Sequence, residues 1–366
     1  MKICHFSTVH GPFDARIFHK ECATLAAAGH EVYFVVPHDR DETRSGVNIR
    51  ALPKPGGRFE RIFSTTLKAL KRVLETGAEV VHFHDPELMP CAALLKVMGK
   101  RVVYDAHEDV PKDILDKEWV GSRAVRRVVA FLAGAVEWFA ARFIFDAIVA
   151  ATPYIGAKFK RCFVVRNLPI LRLAEEFEAA KVECDLPLII YSGGITRIRG
   201  VKNMITAMEY AGDRARLLLM GEWEDDEFRA ECEALPGYRY AIYAGFVPYG
   251  EHFSYIKAGC AGIINFLPLP NHEDALPNKP FEYMACGMPT VMSGFKYWRS
   301  VFRPCAVFAD PEDPRDIADK ILSVVGNAKL RKYLSANSAR MIAEEYSWEA
   351  ESARIIALYD LLARLG

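Results

Sequence analysis

The chain has nine cysteines in 366 residues, yet no C-x-x-C pair. An odd, scattered set suits reduced thiols and excludes a disulfide framework or a cysteine zinc knuckle. Net charge is missing too, since 47 Lys and Arg balance 47 Asp and Glu, which argues against nucleic acid as a partner. No apolar run is long and charge-free enough to span a bilayer. The nearest, 125–149, is interrupted by Arg126, Arg127, Glu137, Arg142 and Asp146. The segment Met1–His10 reads as a strand and lacks the apolar stretch of a signal peptide. Internal repeats and low-complexity tracts are also absent. What remains is a globular protein, expected in the cytoplasm.

A chain of this length exceeds what one core usually fills, so two domains are expected. Residues 1–170 carry 25 Lys and Arg against 19 Asp and Glu, and the remainder 22 against 28. A basic half and an acidic half fit two domains with different partners. Short apolar runs alternate with helical periodicity, the pattern of parallel strands covered on both faces. Strands are predicted at 2–8, 31–36, 47–52, 80–84, 101–105, 147–151 and 162–166. A second set follows at 188–192, 216–220, 240–244, 261–266, 289–292 and 305–308. Helices are predicted at 14–28, 60–76, 87–98 and 122–145, the last read as a buried helix of the first domain ahead of a membrane-surface segment. Residues 171–186 are charged and alanine-rich without a strand pattern, and read as a linker. The fold class is therefore α/β, with doubly wound domains at 1–170 and 187–345 and an amphipathic helix over 346–366.

Open parallel sheets bind ligands beyond the carboxyl ends of their strands. Three polar clusters fall there in the first half: Gly11 to Asp14, His84 with Asp85, and Asp105 to Asp109 around His107. Any one residue could simply cap a turn; three clusters together mark a rim. His82, His84 and Asp85 also admit a metal-ligand reading, which would suit a metal-dependent hydrolase. In the second half, Gly193 and Gly194 follow a strand and let backbone N–H groups approach phosphate, although a plain tight turn would look the same. Arg199 can grip two phosphate oxygens at once. The loop Gly245-Phe246-Val247 follows another strand. Asn278 is placed to cap a short helix that Pro280 can open and Gly287 and Pro289 close. Glu282 then lies in the first turn, where its carboxylate can accept hydrogen bonds from hydroxyls, and Lys279 adds a cation. This is equipment for holding a sugar nucleotide.

Asp274 and Glu282 have the spacing of the E-x7-E donor motif of retaining GT-B transferases, with Asp in the first place. Asp14-Ala-Arg-Ile-Phe-His-Lys-Glu21 with Gly29-His-Glu-Val32, His82-Phe-His-Asp-Pro-Glu-Leu88, Tyr104-Asp-Ala-His-Glu-Asp-Val-Pro111 and Gly193 to Gly200 extend the likeness. Together they resemble glycosyltransferase family 4. The resemblance implies two Rossmann-like domains facing each other across a cleft, with the last helix packing back on the first. It implies a nucleoside diphosphate sugar donor, retention of configuration, and neither metal nor other cofactor. Glu282 would bind ribose hydroxyls and Asp274 donor-sugar hydroxyls; His107 would contact the donor sugar, and Val247 would read the base through its backbone. Arg199 and Lys279 would neutralise the diphosphate. The family usually has Arg where this chain has Gly194, and Lys279 is the nearest replacement, ahead of Arg197 and Lys202.

The acceptor is expected to be a glycan or a lipid-linked sugar. Arg50, Lys54, Arg58, Arg61, Lys68, Lys71 and Arg72 share a window with one acid, Glu60, and with Phe59, Ile62 and Phe63. That reads as peripheral contact with an anionic membrane or, equally, as a solvated helix face. A sugar-nucleotide epimerase, the metal hydrolase, and a non-catalytic transferase-like partner remain alternatives.

Overall fold

A computed structural model describes residues 1–116, 121–273 and 276–364. The chain divides into two compact units, Met1–Asn167 with Glu351–Gly366, and Leu168–Ala350. Residues 171–175 are helical and belong to the second unit.

The first unit is built on eight strands: β1 (Lys2–Phe6), β2 (Glu31–Pro37), β3 (Glu42–Arg44), β4 (Val47–Leu52), β5 (Val80–Phe83), β6 (Arg101–Ala106), β7 (Ala147–Ala150) and β8 (Cys162–Val164). Their order is β3-β4-β2-β1-β5-β6-β7-β8, parallel except for the β3–β4 pair. Only β3, a short polar edge strand, has no counterpart among the predicted strands. β1 is where the winding reverses, so the loops after β1 and β5 flank the place where such sheets bind ligands. The helix Trp348–Arg364 delivers Tyr359 to this unit, where its hydroxyl contacts His82 Nδ1 at 2.9 Å and His5 Nε2 at 3.2 Å.

Three helices cover one face of this sheet: Thr66–Glu75, Met89–Val97 and Arg123–Phe143. Ala69, Val73, Ala92, Leu95 and Ala140 all enter the same core cluster there. The long helix corrects the expectation of a buried helix over 122–145. Its sheet side is built from Ala130, Glu137 and Ala140, with Glu137 accepting from the Tyr104 hydroxyl at 3.2 Å. Its outer side carries Val125, Val128, Leu132, Val136 and Phe139, with Phe131 74% and Trp138 63% exposed. The basic window is less free than the sequence suggests. Arg50 and Arg72 meet Asp41, Lys54 meets Asp39, and Arg61 is bidentate to Glu87 at 2.8 and 3.0 Å.

The second unit is an all-parallel sheet of β9 (Leu188–Ser192), β10 (Arg216–Met220), β11 (Ala241–Gly245), β12 (Ala261–Ile264), β13 (Thr290–Ser293) and β14 (Ala306–Ala309). The order β11-β10-β9-β12-β13-β14 reverses at β9. Alternation along the strands divides two cores: Ile189, Tyr191, Leu217 and Leu219 enter one, Leu188, Ile190, Leu218 and Met220 the other. With both faces covered, these strands read as unbroken apolar runs.

Candidate active site

In the second unit the helix Lys279–Ala285 is fixed by Tyr283, which is fully buried. The Tyr283 hydroxyl accepts from Ser192 N at 3.0 Å and donates to Ile190 O at 3.1 Å. A Cβ at position 262 would meet the Tyr283 ring at 2.3 Å, so Gly262 is required for this seating. Gly287, at φ +63, ends the helix. Asn278 stands at the N-cap position but makes no capping side-chain hydrogen bond; its carbonyl instead receives Phe281 N and Glu282 N.

Glu282 is buried, and its Oε2 accepts from Lys279 Nζ at 2.8 Å and lies 3.2 Å from His252 Nε2. Gly250 N donates to His252 Nδ1, which leaves Nε2 as the protonated nitrogen facing the carboxylate. Burial alone would raise the Glu282 pKa, but Lys279 and His252 outweigh it and hold the carboxyl well below its usual range. His252 was not among the predicted site residues. A single histidine in an apolar segment carries no pattern that separates it from a core residue.

The glycine loop lies beside this helix. A Cβ built on Gly193 (φ +144) would stand 3.0 Å from an Arg199 guanidinium nitrogen and 3.8 Å from Lys279 Cε. Gly193, Gly194, Arg199, Lys279 and Glu282 are therefore brought together. Arg199 donates to Gly194 O at 3.3 Å and has no carboxylate partner among the described residues. Arg197 and Lys202 are taken up by Asp225 and Glu231, so neither replaces the arginine missing at Gly194. Gly221 N donates to Gly245 O at 2.8 Å, and Gly193 N to Met220 O at 2.9 Å, which ties three rim loops by their backbones. Val247 packs partly against the core rather than joining the cluster. Asp274 lies outside the described residues.

In the first unit Asp14 accepts from Arg16 N at 2.8 Å and Ile17 N at 2.9 Å, and meets His10 Nδ1 at 3.1 Å. Burial would raise its pKa, but His10 and the two backbone donors bring it down to about 2. Gly11 is exposed at the same turn. The His107 imidazole is partly exposed, 5.3 Å from the His10 ring and edge-on to it. His84 and Asp85, expected to bind the donor, are buried beneath this surface, with Asp85 Oδ1 3.7 Å from His10 Nε2. His84 is fully enclosed, with Nδ1 on Asp105 at 3.0 Å and Nε2 on His5 Nδ1 at 3.0 Å. Asp85 accepts from Ser7 Oγ at 2.9 Å and Thr8 N at 2.6 Å. Those bonds also turn Asp85 away from the expected His82-His84-Asp85 ligand set. Beneath the rim, Asp105 receives both arms of Arg16 at 2.8 Å. Burial works against that carboxylate, but the Arg16 charge keeps it well below the usual range.

The family described as Glycosyl transferases group 1 matches residues 174–341, and Glycosyltransferase Family 4 matches residues 15–171. Together these matches run over most of the chain, which belongs to the GT-B glycosyltransferases of the family 4 type. O-antigen chain mannosyltransferase B of Escherichia coli is 25% identical over 179 residues, 47% of this chain and 45% of that protein. The match thus spans about half the length of the curated relative. Among solved structures, sucrose-phosphate synthase from Thermosynechococcus elongatus aligns over 100% of both chains with TM-score 0.78 and 17% identity. Anabaena HepE, solved with UDP and glucose, aligns over 98% of this chain and 99% of its own with TM-score 0.73 and 12% identity. At these identities the likeness is one of fold. No helix among the described residues is long and apolar enough to cross a membrane.

Proposed function

We propose that the protein transfers a hexose unit from a nucleoside diphosphate sugar to an acceptor hydroxyl, with retained configuration, in the synthesis of a polysaccharide or glycolipid. The observation that carries this reading is the meeting of Gly193, Arg199, Lys279 and Glu282 at the carboxyl edge of β9. Arg199 and Lys279 offer positive charge to a leaving diphosphate, and the Glu282 carboxylate, kept ionised, accepts from ribose hydroxyls. His107, whose imidazole is partly exposed, hydrogen-bonds the donor sugar. Catalysis is then positioning and charge stabilisation, with no covalent nucleophile. The mannosyltransferase name of the curated relative supports a hexose and a polysaccharide product. The complexes of HepE with UDP and glucose and with UDP-glucose support a nucleotide-sugar donor.

The acceptor is lipid-linked or polymeric, met at the inner face of an anionic membrane. The helix Arg123–Phe143 exposes valine, leucine and aromatic side chains, and also Arg123, Arg127 and Arg142, while its one acid, Glu137, is buried. An exposed apolar helix whose exposed charges are all cationic suits anionic lipid rather than solvent.

The test is a thermal-shift panel of UDP, GDP, ADP and their sugars, followed by product analysis with the stabilising donor. Binding raises the apparent melting temperature by mass action. A glycosylated product with released nucleoside diphosphate is expected. A donor converted without transfer would identify an epimerase, and no stabilisation by any donor would mark a non-catalytic relative. His107→Ala is expected to lower turnover at saturating donor more than it lowers nucleotide affinity; the opposite split would remove it from the sugar site.

A further inference from the structure

We propose that His5, Glu21, His82 and His84 form a buried zinc site in the first unit, one that clamps the fold and takes no part in sugar transfer. The four come from different places in the chain. His5 and His82 are register partners on the adjacent strands β1 and β5. His84 follows His82 at the spacing that returns to the same side of an extended chain. Glu21 is brought by the helical segment Ile17–Cys22. The intervening residues Cys4, Phe6, Val81 and Phe83 enter the apolar core on the other face.

All four side chains are fully buried, and one ligand atom from each lies within 4.8 Å of the others. His5 Nδ1 is 3.0 Å from His84 Nε2 and 3.9 Å from Glu21 Oε2. A tetrahedral zinc with bonds of roughly 2.0–2.2 Å sets its ligand atoms roughly 3.3–3.6 Å apart, so adjustments of about an ångström complete the site. Three imidazoles and a carboxylate favour zinc over magnesium or calcium, which prefer oxygen donors.

The outer contacts already orient the ligands. His84 Nδ1 faces the ionised Asp105 and so carries the proton, which leaves Nε2 with its lone pair. His82 Nδ1 and His5 Nε2 both turn to the Tyr359 hydroxyl, which leaves His82 Nε2 and His5 Nδ1 inward.

Hydrogen bonding among the protein groups leaves two of them unsatisfied. His82 Nε2 is buried with no partner. Neither Glu21 oxygen receives a hydrogen bond, because Arg16 Nε, although 3.1 Å from Glu21 Oε1, points at Asp105. Leaving such buried groups unpaired is destabilising. A cation at the centre satisfies both. The charge balance agrees: Asp105 already offsets Arg16, so an ionised Glu21 is the negative charge left over. Neutral imidazoles and an ionised carboxylate are the forms that ligate a metal.

The test is elemental analysis of full-length protein purified without a metal-affinity tag and dialysed into metal-free buffer. One equivalent of zinc per chain is expected, with its loss in Glu21→Gln and in His82→Asn and its retention in His38→Asn. Protein without zinc, and not stabilised by added zinc, would overturn the proposal and leave a protonated Glu21 in a purely hydrogen-bonded cluster. Full zinc in both variants would also overturn it, by placing the metal elsewhere. If the variants do not fold, wild-type protein refolded with cobalt(II) decides. Visible absorption of a four-coordinate nitrogen and oxygen site is expected, and its absence overturns the proposal. Donor turnover can fail without altering the zinc content, so this outcome separates from that of the transfer reading.

Discussion

Lys279 Nζ stands 2.8 Å from Glu282 Oε2 on the same short helix, so the cation and the carboxylate assigned to the donor restrain each other. Glu282→Ala is expected to leave the protein folded and to lower kcat/KM by about 10- to 100-fold, from losing a charge-assisted hydrogen bond of about 1.5–3 kcal/mol. Lys279→Ala should be non-additive with it in a double-mutant cycle. Near-normal efficiency in Glu282→Ala would move the donor site elsewhere.

Arg199 has no carboxylate partner among the described residues, so its charge is available to a ligand. Arg199→Ala should weaken nucleoside diphosphate binding by about 10- to 100-fold and the matching nucleoside by far less. Calorimetric titration of both ligands decides. Equal losses would point to a folding effect.

Gly221, at φ +143, lies so close to its neighbour that an added Cβ would come within 1.9 Å of Gly193 O. Gly221→Ala should displace the glycine loop and lower both nucleotide affinity and the melting temperature, since strain and overpacking each cost about 1–3 kcal/mol. Unchanged affinity would show that the loop does not set the phosphate site.

The Asp14–His10 pair predicts a stability difference that peaks at mildly acidic pH. Asp14 titrates lower when folded, so its contribution is present above 3.8 and lost as pH falls through about 2. Against the lowering effect of burial, Asp14 and its neighbours raise the His10 pKa, so its contribution is present below 6.5 and lost as pH rises through the folded value. The gap between wild type and Asp14→Asn should be widest between about pH 4 and 6.5, at about 2 kcal/mol. Urea unfolding across pH measures it; a gap still growing above neutrality would contradict the pairing.

Membrane contact should depend on the outer helix faces. Lys68 and Lys71 have no carboxylate partner among the described residues, unlike Arg61, which is tied to Glu87. Replacing both with Gln should weaken flotation with anionic liposomes, at about 1 kcal/mol per charge. Leu132→Asp with Phe139→Asp should abolish it and leave nucleotide binding intact. Wild type that ignores anionic vesicles at low salt would make these faces ordinary surface.

Most of the framework was legible because fully covered strands such as Val80–Phe83 and Ala147–Ala150 read as apolar runs of the right length. Glu42–Arg44 was not, because a three-residue polar edge has no pattern. Apolar periodicity locates a helix such as Arg123–Phe143 but does not say which side meets the sheet; here alanines do. In the donor site, local spacing along one helix was enough to place Glu282 and Lys279 together. The buried histidine cluster depends on the pairing of β1 with β5 across 77 residues, which spacing does not reveal. The same blindness made His84 look like a rim residue.

The contribution of Tyr359 to the first unit also bears on how the chain is made. The ribosome releases residues up to Asn167 long before Glu351 and the helix after it. At about 5–20 residues per second the interval is on the order of 10–40 s. During that time β1 and β5 lack the phenol that caps His5 and His82, and the nascent first unit must wait for Tyr359 to close over its own histidines.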